Sequence, residues 1–293
     1  MAAIAVPANI AAARELTPWQ RALRRLMRRR GAMVGLAIAA FFVLLALAAP
    51  WIAPHDPLGT SWSEVRKAPS LQHLFGTDEI GRDVLSRVIW GARASLLAGL
   101  VSVAISLSVG VPVGMAAGYI GGWTDMLISR VTDAMLACPF LILAIALAAF
   151  LGPSLTNAMI AIGIAATPIF IRLARAQVLA VKVEDYVEAA RAVGNSDLRI
   201  ALVHVFPNIV APIIVQATLA IAAAVIAEAS LSFLGLGQQP PAPSWGSMLN
   251  TAKNYVENAP WMAVWPGVSI FLLVLSFNLL GDGLRDALDP RHA

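Results

Sequence analysis

Residues Ser95–Tyr119 read SLLAGLVSVAISLSVGVPVGMAAGY, a stretch without one charged side chain. A bilayer core needs about 20 apolar residues in a helix, so this segment is long enough to span one. Five further apolar stretches flank it: Met33 to Ala53, Val131 to Leu151, Thr156 to Leu173, Ile209 to Leu236, and Val264 to Leu284. Across the 293 residues, 59% are hydrophobic and 13% charged, and the mean hydropathy is +0.75. Globular chains lie nearer half apolar and a quarter charged. A soluble fold of this length could not bury that surface, and disorder needs the opposite composition. The expected fold class is an all-α membrane protein with six transmembrane helices.

Charge sets the orientation. Six arginines crowd between Arg21 and Arg30, just before the first apolar run. Such a cluster is the usual flank of a membrane span. With no aromatic-basic platform beside it, the formal charge of +4 gives no expectation of nucleic-acid binding. With the N-terminus inside, 15 of the 21 basic residues fall on the inner side; Arg66, Lys67, Arg82, Arg87, Arg93 and Lys253 fall outside. Both termini are therefore expected in the cytoplasm. Trp51, Trp90, Trp123 and Trp261 stand near span ends, as interfacial anchors do. Ala46-Leu47-Ala48 resembles a signal-peptide cleavage site, but the leader would be too long and so would its apolar core; a retained first span is expected.

The organisation follows. Residues 1–31 form a cytoplasmic segment, in which Thr17-Pro18-Trp19-Gln20 reads as a capping box opening a helix with Leu23, Leu26 and Met27 on one stripe. Such a helix would lie on anionic lipid. Residues 32–94 carry the first span, an external loop, and a short amphipathic helix at Asp78–Trp90 with Asp78–Arg82 and Asp83–Arg87 spaced i,i+4. Residues 95–293 form a five-helix core with a cytoplasmic loop at 174–207 and an external loop at 238–260. The latter holds a helix after Ser244 that carries Met248, Leu249, Ala252, Tyr255 and Val256. Gly110, Gly114 and Gly118 in the second span form overlapping small-xxx-small units for close helix approach.

Reactive chemistry is missing. The single cysteine, Cys138, allows no internal disulfide and no Cys-rich metal site. His55, His73, His204 and His292 make no H-E-x-x-H pair, no G-x-S-x-G elbow is present, and no lysine completes a phosphate loop. No catalytic residue and no metal are expected, and any ATPase is another polypeptide. Glu228 is the most isolated acid in a span. A carboxylate there costs about 2.5–3.5 kcal/mol on insertion scales, so it should face protein or water. It is either a residue lining a path or gate, or a carboxylate hydrogen-bonded between helices. Gln216, Asn157 and Asn278 are weaker candidates of the same kind.

The stretch Val181–Pro207 carries the strongest functional signal. Val183, Val187 and Ala190 share a helical face, flanked by Tyr186 and Val193, while Glu184, Asp185, Glu188 and Arg191 supply charge. Gly194 suits a left-handed helix cap, and Ser196 can open a second helix that ends near Pro207. A short helix hung between two spans can act as a lever.

Glu188-Ala189-Ala190 followed by Gly194 resembles the EAA loop of ATP-binding-cassette import permeases. The family pattern continues with Ile, one residue, Leu and Pro; this chain has His204-Val205-Phe206-Pro207 there and keeps the proline. Gly76 to Arg87 (GTDEIGRDVLSR) looks like the external signature of the C-type permease of dipeptide and oligopeptide importers. Leu231 to Gly237, Pro243 to Gly246, and Asn278 to Pro290 resemble further stretches of that group. The resemblance implies the type I ABC importer permease fold in a bacterial cytoplasmic (inner) membrane. It also implies a B-type permease partner, an external solute-binding protein, and two cytoplasmic ATPase subunits that bind ATP and Mg. Peptides would be the solute, with glutathione or a nickel complex as alternatives. Asp185, Tyr186, Glu188, Ala189, Ala190 and Gly194 would couple to the ATPase. A self-sufficient secondary transporter or channel is the rival reading; it would favour several buried charges or matched broken helices.

Overall fold

A computed structural model describes residues 18–288. Thr17, the expected cap, and the basic residues Arg14 and Arg291 lie outside the described residues. The described chain is helical, with one isolated bridge between Thr77 and Asp83. Helices α1 (Pro18–Arg28), α2 (Arg30–Ile52), α3 (Val84–Ile120), α4 (Gly122–Leu136), α5 (Phe140–Leu151), α6 (Leu155–Val181) and α7 (Asp185–Ala192) come first. A three-residue α8 (Asp197–Arg199) then leads through a π-helical turn, Ile200–Val205, into α9 (Phe206–Phe233); α10 (Trp245–Ala252) and α11 (Trp261–Leu288) follow.

Five uninterrupted segments are long and apolar enough to cross a bilayer: α2, α3, α6, the run 197–233, and α11. The sixth crossing departs from the sequence expectation. Val131–Leu151 is not one helix, because α4 and α5 meet at 90° around Pro139. A proline has no N–H to donate and disfavours helical geometry at the residue before it, here Cys138. The twelve residues of α5 rise about 18 Å, short of the roughly 30 Å hydrocarbon core. Asp125 and Asp133 of α4 pair with Arg175 and Arg172 in the C-terminal half of α6, whereas α5 leads to the α6 N-terminus. The bent pair therefore travels from one end of the bundle to the other.

The segment Asp78–Trp90 also differs from expectation. There is no separate helix; α3 starts at Val84 and runs unbroken through the second span. Asp83 caps it, its Oδ2 accepting the Ser86 N–H at 2.8 Å. A carboxylate at that position satisfies a helix N–H that has no intrahelical partner. The expected Asp83–Arg87 pair accordingly does not form, and Arg87 Nε lies 3.5 Å from Asp78 instead. The Asp78–Arg82 pair does form, at 2.6 Å, inside the turn preceding α3. At the other loop, α10 ends at Ala252, before Tyr255 and Val256.

Close packing of α3 on α6 centres the bundle. A Cβ placed on Gly114 would stand 2.4 Å from the Ile171 carbonyl oxygen, and one on Gly110 would stand 2.7 Å from Phe170 Cβ. Gly118 faces the Arg175 carbonyl in the same way, and Gly163 of α6 meets Ile105 in return. At this distance the serine hydroxyls of α3 reach the α6 backbone: Ser106 Oγ donates to Gly163 O at 2.8 Å and Ser102 Oγ to Met159 O at 3.0 Å. The glycine register read from the sequence is thus the contact between these two spans.

The two ends of the bundle are distinct. Arg29 pairs with Asp286, and Gln177 and Asn208 share a cavity lining with Arg285 and Leu288, so α1, the end of α11, and α7 lie at one end. The opposite end carries the loop of residues 53–83, the start of α3, and α10. Trp245 of α10 is fully buried there and donates from Nε1 to the Val88 carbonyl at 2.9 Å. Trp261 Nε1 donates to the Thr77 carbonyl at 3.0 Å, and Phe75 stacks on Trp265 at 3.7 Å.

Candidate functional site

Helix α7 is seated by two small or branched side chains. Val187 and Ala190 are buried among Val111, Ala174, Val178, Ile200, Val205, Ile209 and Ile213, which come from α3, α6, the π turn and α9. Asp185, Tyr186, Glu188 and Ala189 are exposed on the outer side, and Val193 is 78% exposed. Val183, expected to share a helical face with Val187 and Ala190, precedes the helix and is exposed. Asp185 and Glu188 in the first turn and Arg191 in the last complement the helix dipole. Partial burial, and then the neighbouring Glu184 carboxylate, raise the Tyr186 pKa.

The turn after α7 has the geometry the sequence suggested. Gly194 adopts φ 83°, a region that residues with a Cβ rarely enter. Its N–H donates to the Arg191 carbonyl at 3.0 Å, and the Asn195 backbone and side-chain N–H groups both donate to the Ala190 carbonyl. No atom would crowd a Cβ on Gly194, so the demand for glycine is conformational and not steric.

Both arms of this loop are tied to the last turn of α3. Lys182 Nζ donates to the Gly118 carbonyl at 2.7 Å, and the Tyr119 hydroxyl donates to Asp197 Oδ1 at 2.9 Å. The second arm is continuous with α9 through the π turn, which the sequence reading did not anticipate. Its signal was Pro207, which has no N–H for the carbonyl four residues back. Helix α7 and its flanks thus contact α3, α6 and α9 together.

The other candidate residues lie in separate places. Gln216 borders two cavities: one of about 560 Å³ with Gln177, Asn208 and Arg285, the other of about 100 Å³ between Ser102, Phe140, Phe170 and Ala223. Glu228 is fully buried and borders neither. Ser232 Oγ donates to its Oε1 at 2.7 Å and Ser95 Oγ to its Oε2 at 3.2 Å. Asn157 donates from Nδ2 to the carbonyls of Leu151 and Gly152, closing the turn between α5 and α6. Asn278 is exposed on α11.

Residues 110–293 match the family model described as binding-protein-dependent transport system inner membrane component. Residues 17–69 match the N-terminal TM domain of oligopeptide transport permease C. The dipeptide transport system permease protein DppC of Alkalihalophilus pseudofirmus is 48% identical over 276 residues, which cover 94% of this chain and 91% of that protein. The glutathione transport system permease protein GsiD of Escherichia coli is 47% identical over the same shares. In fold, the chain is similar to a chain of the MetNI methionine ABC transporter, with a TM-score of 0.58 at 21% identity, over 69% of this chain and 96% of that one. A bundle of this topology, matched over most of its length by such relatives, belongs to the binding-protein-dependent transport system inner membrane components, and the chain is a multi-pass permease subunit with the type I ABC importer fold.

Proposed function

We propose that this subunit moves peptides of the dipeptide to oligopeptide class, or a peptide-like thiol such as glutathione, across the inner membrane. The relatives above are named for dipeptides and for glutathione at nearly equal identity, and both solutes are short chains with charged ends. The chain supplies no ATPase site. ATP and Mg are bound by two partner ATPase subunits, a B-type permease completes the path, and a binding protein delivers the solute outside. The lipid bilayer surrounds the exposed apolar faces of α2, α3 and α11, where Leu44, Leu47, Leu97 and Phe271 point outward.

The observation that carries the proposal is the lever at α7. Its inner face is fixed by Val187 and Ala190, its outer face offers Tyr186, Glu188 and Ala189, and both its flanks are pinned to α3. Closure of the ATPases on ATP pushes α7, and the push reaches three spans. Gln216 lines the path through the cavities it borders, Asn157 fixes the far turn, and Glu228 holds the helices around the path in register.

Two substitutions test this. Gly194→Val forces a branched residue to positive φ, at a cost of about 1–3 kcal/mol of local strain. Glu188→Lys reverses a charge on the exposed face without touching the buried one. Both variants are expected at wild-type abundance in the membrane, with the ATPase subunits lost on purification or hydrolysing ATP without uptake. Wild-type uptake in both would refute the assignment.

A further inference from the structure

Two imidazoles and a carboxylate converge at the end of the bundle opposite α7. His55 follows α2, His73 stands in the loop, and Asp83 caps α3. His73 Nδ1 lies 2.9 Å and His55 Nδ1 3.7 Å from Asp83 Oδ1, and one ligand atom from each residue falls within 4.8 Å of the others. For a tetrahedral ion with bonds of roughly 2.0–2.1 Å, ligand atoms stand about 3.3 Å apart; the two distances to Asp83 Oδ1 bracket that value, and the His55–His73 separation, within 4.8 Å, closes to it by rotation of the partly exposed His55 ring. We propose that His55, His73 and Asp83 bind one divalent transition-metal ion of the zinc class, which clips the loop of residues 53–83 to the start of α3.

The surroundings are those of a metal site. His73 Nε2 faces Glu64 Oε2 at 3.2 Å, the carboxylate that typically orients a ligating imidazole from behind. Asp83 Oδ2 is held by the Ser86 N–H and Oγ, both at 2.8 Å, leaving Oδ1 for the ion. The same Ser86 Oγ accepts the His55 backbone N–H at 3.0 Å, so one serine sets two of the three ligands. The side chains of His73 and Asp83 are 7% and 1% exposed, but that of His55 is 39% exposed. The ion can therefore enter from solvent past His55, and a water can take the fourth position. Two nitrogens and one oxygen suit zinc, nickel or copper better than magnesium or calcium. The metal-free alternative is an imidazolium at His73 bridging Asp83 and Glu64. In that state His55 only packs its ring against His73, with centroids 4.7 Å apart, because 3.7 Å is too long for a hydrogen bond to Asp83.

The role of His55 decides between them. The complete transporter is purified with an affinity tag that contains no histidine, stripped with chelator, and titrated with Zn²⁺ and, separately, Co²⁺. One site per copy of this chain is expected, with tetrahedral Co²⁺ absorption in the visible, and His55→Ala should weaken the affinity at least tenfold. His73→Ala should abolish the site; where that variant does not assemble, His55→Ala alone is decisive, since its side chain is partly exposed. Equal Zn²⁺ stoichiometry and affinity in wild type and His55→Ala, or no Zn²⁺ in the wild type, would overturn the proposal.

Discussion

At the scale of single residues, burial separates the polar groups with a packing task from those facing open space. Glu228 was legible in the sequence as an isolated intramembrane acid, but its partners were not. They come from α3 and from the next turn of α9, 133 and 4 residues away in the chain. A sequence pattern carries periodicity within one helix and says nothing of which hydroxyl stands opposite. With Ser95 and Ser232 both donating, Glu228→Ala would take the acceptor from two buried hydroxyls, of which Ser232 keeps the Gln238 N–H as a partner, at about 1–3 kcal/mol for a buried polar group left unsatisfied. Glu228→Gln keeps an acceptor and should be milder. The expected outcome is a lower melting temperature for the purified transporter with Ala, and near-normal stability and uptake with Gln. Wild-type stability in Glu228→Ala, combined with lost uptake, would instead put this carboxylate in the solute path.

At the scale of helices, the glycine spacing was an accurate guide and the apolar count was not. Gly110, Gly114 and Gly118 were read as one face, and that face is the α3–α6 contact. A repeat of four residues fixes the face of a helix, so the contact could be read from α3 alone. The apolar stretch Val131–Leu151 looks like one span because hydropathy averages over its window, whereas Pro139 within it breaks the helix. Likewise Asp78–Arg82 and Asp83–Arg87 share a spacing, but only one pair formed, since a helix N-terminus draws Asp83 to the backbone. Valine at position 114 tests the glycine contact. Its Cβ would already be 2.4 Å from a backbone oxygen that cannot rotate away, and overpacking typically costs about 1–3 kcal/mol. Gly114→Val should lower membrane abundance and thermal stability, whereas Gly267→Ala on α11, where a Cβ meets no atom, should be tolerated. Equal stability of the two variants would mean that α3 and α6 do not pack through this glycine.

For the whole molecule, the remaining question is which end faces the cytoplasm. The described start of the chain, its described end, and α7 share one end of the bundle. That arrangement needs an even number of crossings, so the bent pair α4–α5 must count as one. Were it a re-entrant loop, α6 would begin and end on the wrong sides for Arg172 and Arg175 to meet α4 while Asn157 closes the turn after α5. The basic residues weight the same end: Arg29, Arg30, Lys182, Arg191, Arg199 and Arg285 all belong to it. Positive charge is retained on the cytoplasmic side, so α7 and both chain ends should be inside, and the loop of residues 53–83 with α10 should be outside. Reporter fusions after Ser61, after Lys253, and at the C-terminus check this. Activity that requires export is expected from the first two and absent from the third. Cysteines introduced at Ser61 and Asn195 give an independent measurement in intact cells, with an impermeant thiol reagent labelling only Ser61→Cys. Labelling of Asn195→Cys from outside would invert the molecule and remove α7 from the reach of any cytoplasmic ATPase.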